Sequence, residues 1–511
     1  MSVRVRVFAK ICSRPTRPRP AWLGWPGDIA GPAPVHLSAA WFGPVAVTAK
    51  PFGAETESVS YWLDSLAPIP RRDPLDGDVD VDVAVVGAGF TGLWTAYELQ
   101  RREPGLRIAI VESQFAGFGA SGRNGSWCVP ELNASLELLS ARFGRERALA
   151  LHRALLATPA EVERSLREEG IEADFSASGV LKVARGRYQL PLLEAEMRSY
   201  QEMGVGDEYS WLDRAGASDR LEVAGVEAAL FTPNGATLHP AKAVRGLADA
   251  VERRGATIYE RTKVVGVQKG SPVRVETDRG QVRARVAVLA LEGYLSQLPG
   301  YRRRVLPLYS LISITEPLSE MDLASVNWSE RMCVGSMRLS VDYFARTADG
   351  RILVGGRGAP YSYGSRILNS REHHAQTHAK LQRMFREWFP GLSSVRFSQS
   401  WGGVLGMPRD WIPQFGFQPN SGLAFAYGYT GHGVATSNLA GRTLADLITG
   451  RESELTSLAL VGHHSPDWEP EPLRWIGVRY VQAGLARLDA RGERTGRAPS
   501  RWDPAMRMAA N

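Results

Sequence analysis

The sequence predicts an α/β fold, with a parallel-sheet domain assembled from discontinuous segments of chain and joined to an α+β domain built on a mixed sheet. Three observations carry that expectation. An apolar stretch over residues 79–86 breaks into glycines and restarts as a helix through Leu99. A second apolar stretch over 107–111 ends on Glu112. Another glycine-lined helix start falls near the C-terminus at Gly431, His432, Gly433 and Val434.

In the first of these, Gly87 permits a tight turn, Gly89 lets backbone approach a pyrophosphate, and Gly92 lets the helix pack close to the strand. Phe90 and Thr91 supply first-turn amides which, with the positive end of the helix dipole, face phosphates. Glu112 stands about 20 residues past the third glycine, where a carboxylate meets a ribose. A glycine pattern alone reads as an ordinary strand-to-helix turn. Strand, glycine turn, helix, strand and acid in this order define a Rossmann-like dinucleotide site.

The next segment, residues 117–126, is too polar and glycine-rich for strand or core and reads as a loop. Gly119, Gly122 and Gly125 make backbone amides available for close contact. Ser121, Arg123 and Asn124 add donors suited to phosphate or to the edge of a flavin ring.

On these residues the chain resembles the glycine oxidase, sarcosine oxidase and D-amino acid oxidase (DAO) family of FAD enzymes. Within it the chain looks most like gamma-glutamylputrescine oxidoreductase-like proteins, whose loop similarly reads GASGRNGG; Ser126 stands for the last glycine here. The resemblance implies a Rossmann-like FAD-binding domain of the glutathione reductase-like type. It further implies that the strand near Lys263, Val264 and Val265 meets the adenine through its backbone, and that the strand end at Ala290 borders the cofactor. Relatives usually carry Thr-Asn where Leu291 and Glu292 stand, so hydrogen bonding at that strand end is expected to differ. The turn at Gly431, His432, Gly433 and Val434 then sits beside the pyrimidine end of the flavin, where preorganised amides favour the reduced ring. His432, between two glycines at a helix start, reads as positional rather than catalytic.

Three departures refine the resemblance. Relatives with a covalent flavin of the sarcosine oxidase type carry its cysteine in the segment matching 401–410; none occurs there, so FAD is expected to be held without a covalent bond. A carboxylate-binding arginine soon after the flavin loop is absent over 126–140, which argues against a small clamped amino acid. A lysine near flavin N5, which helps oxygen react, is absent over 352–356, which argues against fast oxidase activity.

At 511 residues, 44% hydrophobic and 23% charged, the chain can bury a large core and should split into two or more domains. No apolar run of about 18 residues occurs, so no membrane span is expected. The net charge of +7 concentrates in Arg4, Arg6, Lys10, Arg14, Arg17 and Arg19, all before the first acid, Asp28. The remainder is nearly neutral, and nucleic acid is not an expected partner. Residues 1–55 read as a poorly ordered extension. Cys12, Cys128 and Cys333 show no paired framework and no CxxC spacing, which points to a cytoplasmic location and to no metal site.

The flavin motifs place the cofactor domain in 56–130, 227–295 and 396–455, with 131–226 and 296–395 forming the substrate domain and 456–511 a tail. The first insert reads mostly helical, with helices over 136–149 and 192–203 and a strand near 179–183. The second alternates as strand at 309–314 and 351–354. The tail from Pro472 reads as a helix docked on the body. Tyr309, Tyr343, Trp401 and Arg409 are the pocket candidates, aromatics to box an amine and Arg409 or Arg346 to pair with a carboxylate.

The expected chemistry is oxidation of the C–N bond of an amine or amino acid by hydride transfer to flavin N5, giving an imine that hydrolyses, with oxygen or an unknown electron acceptor. A gamma-glutamylputrescine-like substrate leads. The alternatives are a glycine or D-amino acid-type oxidase producing hydrogen peroxide, and a non-catalytic flavin-binding module.

Overall fold

The structure, a computed structural model, describes residues 59–68, 70–500 and 502–510. The expected extension, residues 1–55, and Cys12 within it lie outside the described residues.

Val83–Val86 and Ile108–Val111 are buried along their whole length, as strands covered on both faces must be. They pair in parallel, with Thr257–Tyr259 beyond the second and Val286–Leu289 beside the first. Leu423–Tyr427 adds a further parallel strand, and the antiparallel Gln414–Gln418 closes that edge. Six strands from four separated stretches of sequence thus form one sheet. Helices Phe90–Arg102, Pro240–Arg253 and Gly433–Thr449 pack against it through one continuous apolar cluster.

An eight-stranded mixed sheet forms the second layer. Its order runs Phe397–Met407, Leu306–Thr315, Ile352–Arg357, Asp342–Arg346, Cys333–Ser336, Val180–Arg185, Val226–Thr232 and Ser210–Asp213. This moves two expected boundaries. Val226–Thr232 and Phe397–Met407, expected in the cofactor domain, spend their ladders on the second sheet, pairing with Val180–Arg185 and Leu306–Thr315.

The helix expected over 136–149 is two helices, Leu136–Phe143 and Arg145–Leu156. Gly144 between them adopts φ +88°, outside the helical region, and stops the first helix. Leu190–Glu202 forms close to its expected bounds. The tail helix is Leu473–Thr495; Val478 and Leu488 are buried, but Leu473, Trp475, Ile476 and Tyr480 are exposed, so its apolar face docks only in part. Among the described residues no helix is long and apolar enough to cross a membrane.

The tightest constraint on the fold lies at the first glycine turn. A Cβ on Gly92 would collide with the carbonyl oxygen of Gly87 and come within 2.9 Å of Val85 Cγ1. Gly92→Ala is therefore expected to cost about 3 kcal/mol in thermal or denaturant unfolding, because backbone must move. Gly105→Ala, where a Cβ meets nothing within 4 Å, is the control and should lie within about 0.5 kcal/mol of the parent.

Candidate active site

Two cavities meet where the layers join. The first, about 450 Å³, is lined by Gly87, Gly89, Phe90, Thr91, Glu112, Gly119, Ser121 and Ala290 at one end, and by Gly431, Gly433 and Val434 at the other. The second, about 670 Å³, lies under the eight-stranded sheet. Ala120, Asn124, Leu405, Gly431 and Val434 border both.

The first cavity is a backbone-lined cradle. Gly89 caps helix Phe90–Arg102 in extended conformation, and a Cβ there would stand 2.9 Å from Ser121 Oγ. Ser121 Oγ accepts the Phe90 N–H at 2.8 Å, tying the loop to the helix start. Glu112 accepts the N–H groups of Ala88 and Gln114, both at 3.0 Å, which holds its carboxylate beside the glycine turn. Burial nonetheless raises its pKa. At the other end, helix Gly433–Thr449 begins at Gly433 with His432 as its cap. Thr91 Oγ1 and Tyr429 Oη share a hydrogen bond of 2.8 Å, linking the two helix starts. The glycine-lined helix start at one end, a carboxylate beside it and apolar Leu291, Leu298, Ile367 and Val404 between fit the phosphates, ribose and ring of FAD. Among the described residues neither cavity has a cysteine in its lining, and Cys128 is fully buried outside both, its thiol pKa raised by burial.

Not every expected cofactor residue reaches the cradle. Gly92 and Gly122 serve packing behind it; a Cβ on Gly122 would collide with the Gly117 carbonyl. Arg123 donates to Phe118 O at 2.7 Å and pairs with Glu372 at 2.5 Å, so its charge ties the loop to the substrate layer. Asn124 donates to the Ser121 carbonyl at 3.0 Å and accepts the Ser126 N–H at 2.9 Å, bracing the loop between the cavities. Arg123, Gly125 and His432 line the second cavity rather than the first. Val265 is 47% exposed and outside the cradle, whereas Thr262, Lys263 and Val264 line it; a register shift between Val264 and Gly266 turns Val265 outward.

Of the four pocket candidates only Tyr343 lines the second cavity, its hydroxyl held 2.9 Å from Ser310 Oγ. Tyr309 points to the opposite side of its strand, where its hydroxyl accepts the Leu368 N–H at 2.7 Å. Trp401 is buried under the loop and donates to Arg123 O at 2.8 Å. Arg409 pairs with Glu469 at 3.1 Å and lies over Trp468. Arg346 donates to the carbonyls of Trp328 and Ser329.

Besides Arg123, this cavity is lined by charges that the sequence did not single out. Lys182 lies 2.6 Å from Glu196 and 3.6 Å from Glu131. Burial works against its charge, but the two acids outweigh that and raise its pKa. Tyr200 donates to Glu196 at 2.8 Å and stacks on Tyr209 at 3.9 Å. Arg357 donates to Thr430 O at 3.0 Å and lies over Trp411, and forms no ion pair with a described residue. Burial lowers its pKa to about 10, which still leaves it charged at neutral pH. Burial lowers His432 to about 4, so its ring is neutral there.

The strand end that departs from the resemblance carries a buried acid. Glu292, with φ +44°, accepts the N–H groups of Gly428 at 2.7 Å and Gly406 at 3.0 Å, joining three segments of the cradle. Burial outweighs these donors and raises its pKa to about 7.

With this geometry in view, the comparisons assign the family. The model for the DAO family of FAD-dependent oxidoreductases matches residues 82–447. The chain is 31% identical over 412 residues to gamma-glutamylputrescine oxidoreductase of Escherichia coli strain K12, covering 79% of this chain and 92% of that one. It is 26% identical over 394 residues to the sarcosine oxidase beta subunit of Rhodobacter capsulatus, covering 74% and 86%. The crystal structure of glycine oxidase from Geobacillus kaustophilus has the same fold, with a TM-score of 0.61 at 23% identity, covering 75% of this chain and 99% of that one. The chain belongs to the DAO family, and it is an FAD-dependent oxidoreductase of amines or amino acids.

The Glu292 shift carries a signed expectation. Its folded pKa lies above its ordinary 4.5, so its contribution to stability is complete below about pH 4.5 and is lost as pH rises through about 7. Relative to Glu292→Gln, the wild-type FAD-free protein should lose about 3 kcal/mol between about pH 4.5 and 8, read by denaturant unfolding.

Proposed function

We propose that this enzyme oxidises a C–N bond in an extended amine that carries an amino-acid head group, with gamma-glutamylputrescine as the leading substrate and the imine hydrolysing afterwards. The observation that carries the reading is the second cavity, about 670 Å³ with charges of both signs in its wall. Glycine would leave most of that volume to water. A zwitterionic head matches the group of Glu131, Glu196 and Lys182, its ammonium facing the acids and its carboxylate the lysine. The E. coli relative, named for gamma-glutamylputrescine, supports the same substrate class.

Bound FAD supplies the hydride acceptor. The chain's part is to place the reacting carbon at the junction bordered by Ala120, Leu405, Gly431 and Val434, and to exclude water around it. Neutral His432 adds no positive charge against an arriving amine. Tyr343 and Trp127, packed edge to face at 5.8 Å, give the passage an aromatic wall. FAD would be held there without a covalent bond.

Arg357 favours a second reading. A guanidinium without an acid partner among the described residues, close to Gly431, suits a carboxylate next to the reacting carbon. That is the demand of a compact α-amino acid, oxidised as by a glycine or D-amino acid-type oxidase that passes electrons to oxygen.

Anaerobic mixing of the FAD-loaded enzyme with single amines separates the readings. Gamma-glutamylputrescine should bleach the flavin with kcat/KM at least 100-fold above putrescine and glycine; preferential bleaching by glycine or a D-amino acid would favour the second reading, and no bleaching by any amine would reject both. Lys182→Gln should raise KM for gamma-glutamylputrescine about 10- to 100-fold with kcat little changed, because its contact is remote from the reacting bond. Arg357→Ala should have its largest effect on α-amino acids.

A further inference from the structure

Helix Leu473–Thr495 is fixed to the body along one side; helix Pro504–Ala510 packs beside it at Gly477 and Gly484, and among the described residues much of its remaining face is exposed. Its buried positions, Arg474, Val478, Leu488, Asp489 and Gly492, recur on one face of a 3.6-residue repeat. Asp489 accepts the N–H groups of Leu339 and Ser340 at 3.0 and 2.8 Å. At the helix entry Glu471 holds Arg474 at 3.1 Å and accepts the Tyr361 hydroxyl at 2.8 Å. With both ends fastened, the outward direction of the opposite face is set.

That face is apolar for its first two turns. Leu473 is 62% exposed, Ile476 54% and Tyr480 44%, with Trp475 beside them at 39%. The same outward side then carries Arg487, Arg491 and Arg494, with Arg479 flanking the tryptophan. None of these four arginines forms an ion pair with a described residue. The helix has only two acids, and both are used inward: Asp489 and Glu493 face Arg338 at 3.6 and 2.8 Å.

We propose that this helix docks the protein on an anionic lipid surface, lying in the plane of the interface. Trp475 and Tyr480 offer amphipathic rings of the kind that settle at headgroup level, Leu473 and Ile476 reach the acyl boundary, and the arginines meet lipid phosphates. The charges select this occupant. A second copy docked by the same face would bring eight unpaired guanidinium groups together with no acid between them, whereas an anionic surface neutralises all of them.

Co-sedimentation of the FAD-loaded protein with vesicles tests the proposal. The protein should bind vesicles containing phosphatidylglycerol at least tenfold more tightly than pure phosphatidylcholine, and several-fold less tightly when salt is raised from about 0.05 to 0.5 M. Ile476→Ser with Tyr480→Ser, and separately Arg487→Glu with Arg491→Glu, should each reduce binding at least tenfold while flavin content and amine-driven bleaching stay unchanged. All four side chains are exposed, so both variants should fold. Failure to bind anionic vesicles, equal binding to both lipids, or a lipid-free dimer that the Ile476→Ser and Tyr480→Ser changes dissociate would each overturn it.

Discussion

The helices Phe90–Arg102 and Gly433–Thr449 lie against each other at backbone distance, and the cofactor half of the molecule depends on that contact. Gly441 makes it possible, since a Cβ there would come within 2.7 Å of the Trp94 backbone. Thr91 and Tyr429 bond across the starts of the two helices, and Arg102 reaches Asp446 at 2.6 Å near their ends. Segments far apart in sequence thereby direct two positive helix ends into one cavity. A ligand with negative charge at its centre and charge developing on its ring is what such a pair stabilises.

The substrate half is coupled to this arrangement by few but buried contacts. Arg123, inside the glycine loop, pairs with Glu372 beyond the eight-stranded sheet, and both are nearly excluded from water. Breaking one partner of such a pair leaves a buried charge, so loop and roof are bound to move together. Glu292 does the same between the strand end and the Gly428–Thr430 backbone, at a position where members of the resembled family usually carry asparagine. The cradle thus contains an acid whose pKa burial raises to about 7, in a wall that must accept an anionic cofactor.

Much of the cofactor site was legible in the sequence, because Gly87, Gly89 and Gly92 answer to local backbone constraints that spacing reveals. The substrate pocket was not, because it depends on which face of a strand a side chain takes. Tyr309 and Ser310 are neighbours on Leu306–Thr315, yet only Ser310 faces the cavity. Trp401 shares a face with Gly403 and Leu405 but is covered by the Arg123 loop. Alternation along Ile352–Arg357 carried a usable signal: Gly355 and Arg357 fall on one face, and the Tyr343 ring fills the space that Gly355 leaves. Nothing local announces Glu131, Lys182 and Glu196, which three different elements bring together. Gly144 was visible as a glycine but not as a helix stop, since its positive φ is fixed by the packing around it.

The account stands on a single cofactor spanning both helix starts, and a crystal structure of the FAD-loaded protein tests it most directly. It predicts continuous density with the pyrophosphate over the amides at Gly89 to Thr91 and the pyrimidine edge of the ring beside Gly431 to Val434. A flavin lying outside this cavity, or separate ligands at its two ends, would contradict it.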